Sequence, residues 1–161
     1  MEPESDQPVT RWQIFRAKFF LFIVGLLRWM TLGARGVLIR GEEVLLIRHT
    51  YVKGWQFPGG GVEKGDTFEA AMRREVLEET GFAPKGKVEL HGIFLNSRIS
   101  KRDHVALFLV REFDQEQDFT ANHEIAEMGW FRVDDLPHDI TRSARARVEE
   151  IFFDKEKSQL W

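Results

Sequence analysis

From residue 32 onward, the spacing of apolar and polar positions separates strands from helices. Ala34–Arg40 and Val44–His49 are short, rich in Val, Leu and Ile, and divided by Gly41-Glu42, so they read as two strands joined by a turn. Trp55–Phe57 reads as a short strand running into Pro58 and three glycines. Val88–Ile99 and His104–Phe113 read as a hairpin turning at Ser100-Lys101-Arg102-Asp103, and Glu127–Val133 as a last strand. Two stretches are helical. Thr67–Thr80 has Asp66 as its expected N-cap, Glu69 as the capping-box partner and Gly81 as its stop. Thr141–Asp154 gathers Ala144, Val148, Ile151 and Phe152 into one apolar stripe. A mixed sheet flanked by two helices is an α/β sandwich.

The start of the chain follows a different pattern. Residues 1–10 are polar and contain proline, which predicts a disordered N-terminus. Residues 11–31 predict an apolar or amphipathic helix, with Phe19 to Leu27 uninterrupted by any polar side chain. Nine residues fall short of the ~20 that a membrane-spanning helix needs. Arg28 follows the run directly and no small-residue cleavage site stands before the first strand, which argues against a signal peptide. The segment packs on the domain, pairs with a second copy in a homodimer, or lies in a membrane interface. The pairs Arg11-Trp12 and Arg28-Trp29 supply the flanks that the last of these requires. Residues 32–155 then form one domain and residues 156–161 a tail.

Composition narrows the function. A chain of 161 residues is long enough for one sizeable core. Its 23 basic and 26 acidic side chains give a net charge of −3, so no positive field exists to hold long nucleic acid. With no cysteine, disulfides, thiolate metal sites and cysteine nucleophiles are excluded. That fits a reducing compartment, and the expected location is the cytoplasm, with peripheral contact at the inner membrane face as the alternative.

The chemistry is concentrated between Gly60 and Phe82. At 3.6 residues per turn, Glu75, Glu78 and Glu79 fall within an arc of roughly 100° on one helix. Like charges so placed repel, and oxygen-rich clusters suit hard cations such as Mg²⁺. A solvated acidic face is the ordinary reading of such a helix, but it requires no glycine-rich approach at a fixed distance. Gly60, five residues, Asp66, seven residues, then Arg74-Glu75-Val76-Leu77-Glu78-Glu79-Thr80-Gly81-Phe82 resembles the Nudix hydrolase signature. Eight of its nine fixed positions match, and Asp66 stands where the family has Glu. Flanking words such as Met30-Thr31-Leu32-Gly33, His49-Thr50-Tyr51 and Gly54-Trp55 look like a bacterial, MutT-like subgroup without a settled substrate.

The resemblance implies a Nudix-type α/β/α sandwich and an Mg²⁺-dependent enzyme, with Mn²⁺ as a substitute. It would attack, with water, the pyrophosphate of a nucleoside diphosphate linked to another moiety. Glu75 and Glu79 are implied as the main metal ligands, Glu78 as a ligand or the base, and the Gly60 carbonyl as a further ligand. Arg74 is implied to orient Glu75 through a bidentate pair. Asp66 either reaches metal through water or only caps the helix. Glu124, in the loop before the last strand, is implied as an extra base or ligand. Glu127 competes with it, or holds a base or sugar hydroxyl. His123 beside them reads as a surface residue.

Substrate identity is less legible. Arg98 lies near the position that distinguishes Nudix subfamilies, and with Lys101 and Arg102 it meets phosphates or is merely solvated. Arg142, Arg145 and Arg147 invite the same two readings, with Arg145-Glu149 as an i,i+4 pair. Trp55, Phe57 and Phe94 either stack on a base or pack in the core. The expected substrate is a small nucleotide, a nucleoside triphosphate or nucleotide sugar. The alternatives are an RNA 5′-pyrophosphohydrolase and a non-catalytic nucleotide-binding module.

Overall fold

The computed structural model describes residues Met30–Trp161. The expectations for residues 1–10, and for a helix over 11–31, lie outside the described residues except at their last two positions, where Thr31 already opens a strand. In chain order the elements are β1 (Thr31–Arg40), β2 (Glu43–His49), β3 (Trp55–Gln56), β4 (Gly59–Gly61), α1 (Phe68–Thr80), β5 (Phe82–Pro84), β6 (Glu89–Leu95), β7 (Asp103–Val110), β8 (Phe113–Gln115), β9 (Ile125–Arg132) and α2 (Arg142–Phe152). Among the described residues no helix is long and apolar enough to cross a membrane.

Seven strands form one mixed sheet. β1 is its spine: it runs parallel to β7 from Thr31 to Leu38, antiparallel to β4 at Gly33–Arg35, and antiparallel to β2 at Ile39 and Arg40. β2 pairs with β9 and β3, and β6 with β7. β5 and β8 make a small separate ladder. Val37, Leu38 and Ile39 are all buried, as are Val44 to Ile47, because these central strands are covered on both faces.

One face packs Val37, Leu46, Phe57 and Phe94 against Ala144 and Val148 of α2. The other packs Ala34, Leu38 and Phe108 against Ala71, Met72 and Val76 of α1. The result is the expected α/β/α sandwich. Gly36 lets α1 lie close, since a Cβ there would sit 2.8 Å from the Val76 side chain.

Several local expectations need correction. The N-cap of α1 is Thr67, whose hydroxyl accepts from the Ala70 N–H at 3.1 Å, not Asp66. Glu69 pairs with Arg73 and not with the cap, so there is no capping box. The β6–β7 turn covers 96–102, longer than expected, because Asn96 closes it: its N–H donates to the Asp103 carbonyl and its side chain to the Asp103 carboxylate. Arg145 donates to the Pro137 carbonyl, and Glu149 pairs with Lys155, so the Arg145-Glu149 pair does not form.

Candidate active site

The box becomes a corner between β4 and the second half of α1. Gly59–Gly61 is a strand, paired with Gly33–Arg35 of β1, so its backbone is fixed by the sheet. Gly60 lies against Glu75; any Cβ there would fall 2.5 Å from the Glu75 carboxylate. The Gly59 N–H donates to Glu79 Oε2 at 2.6 Å. Gly81 ends α1 in the left-handed conformation, with φ 75° and its N–H donating to the Leu77 carbonyl.

Glu75 and Glu79 line one cleft of about 1410 Å³, together with Arg35, His49, Gly60 and Glu124. Glu79 is only 8% exposed. Burial lifts its carboxyl to about 7; the Gly59 N–H and Arg35 pull the other way, while Glu75 and Glu124 add to the rise. His49 Nε2 approaches Glu79 Oε1 at 3.7 Å, and its buried Nδ1 has no partner among the described residues. Burial, and then the Arg35 charge, hold that imidazole below its ordinary value, so it stays neutral near pH 7.

The three helix carboxylates do not converge as their shared arc predicts. Glu75 pairs with Arg74 Nη1 at 2.6 Å. Glu78, its side chain 60% exposed, stands outside the cleft lining, 3.7 Å from the same Arg74 nitrogen. Among the described residues no three acidic or histidine side chains form a ready metal cluster. Even so, the two carboxylates at the corner suit a hard cation. The Gly60 carbonyl, in register with Ala34, faces β1 in the strand ladder and is not turned to them. Arg74 touches Glu75 through one nitrogen while its other reaches Asp66 at 3.4 Å, so the expected bidentate grip is not made.

Glu124 lines the cleft from the loop before β9, anchored by the Asn122 side chain, which accepts its N–H at 2.8 Å. His123 is fully open to solvent beside it. Glu127 is turned to Arg48, at 2.9 Å, and is not part of the cleft lining. Arg98 lines the cleft. Phe57 is 0% exposed and belongs to the core, as do Trp55 and Phe94, so stacking on a substrate base is corrected to packing.

A model of the NUDIX domain matches residues 30–151. The chain belongs to the Nudix family. The m7GpppN-mRNA hydrolase dcap-2 of Caenorhabditis elegans is 29% identical over 140 residues, covering 74% of this chain and 17% of the worm protein. The ADP-ribose pyrophosphatase of Methanocaldococcus jannaschii is 34% identical over 107 residues, covering 63% of this chain and 62% of its own. This Nudix chain therefore spans less than two thirds of either relative. Among solved structures, a MutT NUDIX hydrolase from Burkholderia pseudomallei superposes with a TM-score of 0.66 at 25% identity, covering 75% of this chain and 97% of that one.

Two cleft residues, Arg35 and His49, carry no role in the sequence reading. Arg35 left a trace there, since a lone charge inside Ala34-Arg35-Gly36-Val37-Leu38-Ile39 contradicts a buried strand. His49 entered there only as part of the flanking word His49-Thr50-Tyr51, with no chemical role attached.

Proposed function

We propose that this Nudix chain is a hydrolase of the pyrophosphate linkage in a nucleoside diphosphate joined to another moiety, a nucleoside triphosphate or nucleotide sugar, with Mg²⁺ or Mn²⁺ as cofactor. The observation that carries the reading is the placement of Glu75 and Glu79 in one cleft against the glycine strand. Both relatives above are named for substrates in which phosphates bridge a nucleoside to a second group.

Glu75 and Glu79 are the groups that would hold the ion, whose chemistry is to neutralise phosphate charge and acidify water. The rest falls to the chain itself. Arg74 fixes the rotamer of Glu75, and the Gly59 N–H fixes that of Glu79. Water attacks phosphorus, the P–O anhydride bond breaks, and the carboxylate of Glu124 takes the water's proton. Glu124 is favoured over Glu78 as this base because it lines the cleft and Glu78 does not.

Purified protein with Mg²⁺ should release phosphate or nucleotide from a set of nucleoside triphosphates and nucleotide sugars. Glu124→Gln should lower kcat by at least ~10², and Glu78→Gln by much less. Turnover of triphosphorylated RNA alone would move the substrate to RNA ends, and nucleotide binding without turnover would make the protein a sensor.

A further inference from the structure

Arg35 is a charged side chain in the middle of the sheet's spine, paired across to Gly59. Its Nη1 donates to the Phe57 carbonyl at 2.5 Å. A guanidinium carries five N–H donors, and that carbonyl takes one of them. The side chain also lines the cleft beside Glu75, Glu79 and His49. Desolvation weakens the charged form of the guanidinium, and the nearby charges of Glu79 and Glu75 support it.

A brace for one carbonyl does not require so costly a residue. A serine, an asparagine or a backbone N–H would serve without a half-buried charge. Three other arginines nearby are already paired, whereas Arg98 and Arg142 line the cleft with no ion pair among the described residues. Arg74 is engaged by Glu75 and Asp66, Arg48 by Glu127 and Asp139, and Arg147 by Glu150.

Arg35 is the cleft cation felt by Glu79. A divalent ion on Glu75 and Glu79 would consume the negative charge that supports this guanidinium. Its remaining donors would then need a different anion, and a phosphate chain entering the same corner supplies one. We propose that Arg35 is a phosphate-binding residue, gripping a substrate phosphate oxygen beside the site formed by Glu75 and Glu79. The inference rests on the hydrolase reading above and assigns a residue that the box does not contain.

The test uses the full chain, Mn²⁺ and imidodiphosphate, an inorganic pyrophosphate analogue whose bridge resists hydrolysis. Free Mn²⁺ is counted by electron paramagnetic resonance, and imidodiphosphate binding is measured by calorimetry at saturating Mn²⁺. For Arg35→Gln, imidodiphosphate binding should weaken at least ~10-fold, as expected for loss of a charge-assisted hydrogen bond. Mn²⁺ uptake should stay equal or tighten, because a positive neighbour has been removed. If Arg35 only braces the glycine strand, Mn²⁺ uptake falls and the proposal is overturned; unchanged imidodiphosphate binding overturns it as well.

Should Arg35→Gln lose its cooperative unfolding transition, Arg35→Lys decides. It keeps the charge without the planar fork, and should bind imidodiphosphate more weakly than wild type at unchanged Mn²⁺ uptake. Equal binding of both ligands by this variant refutes the proposal. Wild-type protein that takes up neither Mn²⁺ nor imidodiphosphate would sink the hydrolase reading, and the role of Arg35 with it.

Discussion

Glu79 carries the clearest pH signature of any residue at the site. Its carboxyl is lifted from 4.5 in the unfolded chain to about 7 in the fold, mainly by burial. A group raised in this way favours the fold when protonated. The contribution is complete below about 4.5 and is lost as pH rises through 7. His49 runs the other way: its depressed imidazole costs stability as pH falls below its ordinary range. Wild type alone therefore mixes two opposed terms, and comparison with Glu79→Gln isolates one. In chelator-treated protein, Glu79→Gln should gain on wild type between pH 4.5 and 8.5 by on the order of 3 kcal/mol, measured by chemical denaturation. Parallel stability curves would mean that Glu79 is not desolvated in the free protein.

Among the elements, α1 shows both the reach and the limit of reading the chain. Its position and its stop at Gly81 follow from box spacing, because a glycine with positive φ and a helical acidic run have few other uses together. Its cap does not follow. Asp66 and Thr67 are both good capping residues, and the choice is made by where the backbone becomes extended, at Thr67 with φ −80° and ψ 159°. Thr67→Ala should cost about 1 kcal/mol in urea unfolding. Asp66→Ala removes only an exposed contact to Arg74 and should cost less. The central strands were legible because long apolar runs have one stable home. β5 and β8 were not, being three residues each and held by tertiary bonds such as Glu116 and Gln117 N–H to the Gly81 carbonyl. Glu75 and Glu79 were legible from spacing; the outward turn of Glu78 was not, since an arc on a helix fixes Cα positions and leaves rotamers open. The inward turn of Arg35 depends on a strand pairing that no local pattern encodes.

At the scale of the whole molecule, the end of the chain builds part of the cleft. Leu95 N–H donates to the Gln159 carbonyl, and Trp161 N–H donates back to Leu95, so the tail adds to β6. Beneath it, Arg147 and Glu150 form a buried pair at 2.6 Å, their side chains 1% and 2% exposed. Arg147 also donates to the Leu160 carbonyl and lies over the Phe94 ring. Arg147→Met should therefore cost ~3 kcal/mol or more, leaving Glu150 buried without its cation, as read from denaturant midpoints. The opposite margin of the cleft has another character. Three consecutive glycines would make a hinge in most settings, yet here they are stitched edgewise to β1, the spine of the sheet. This margin of the cleft is therefore held in place by the ladder. Selectivity for what enters thus falls to the loop residues Tyr51, Val52 and 96–99 that line the same cleft, where substitutions should retune what fits while Glu75 and Glu79 stay in place.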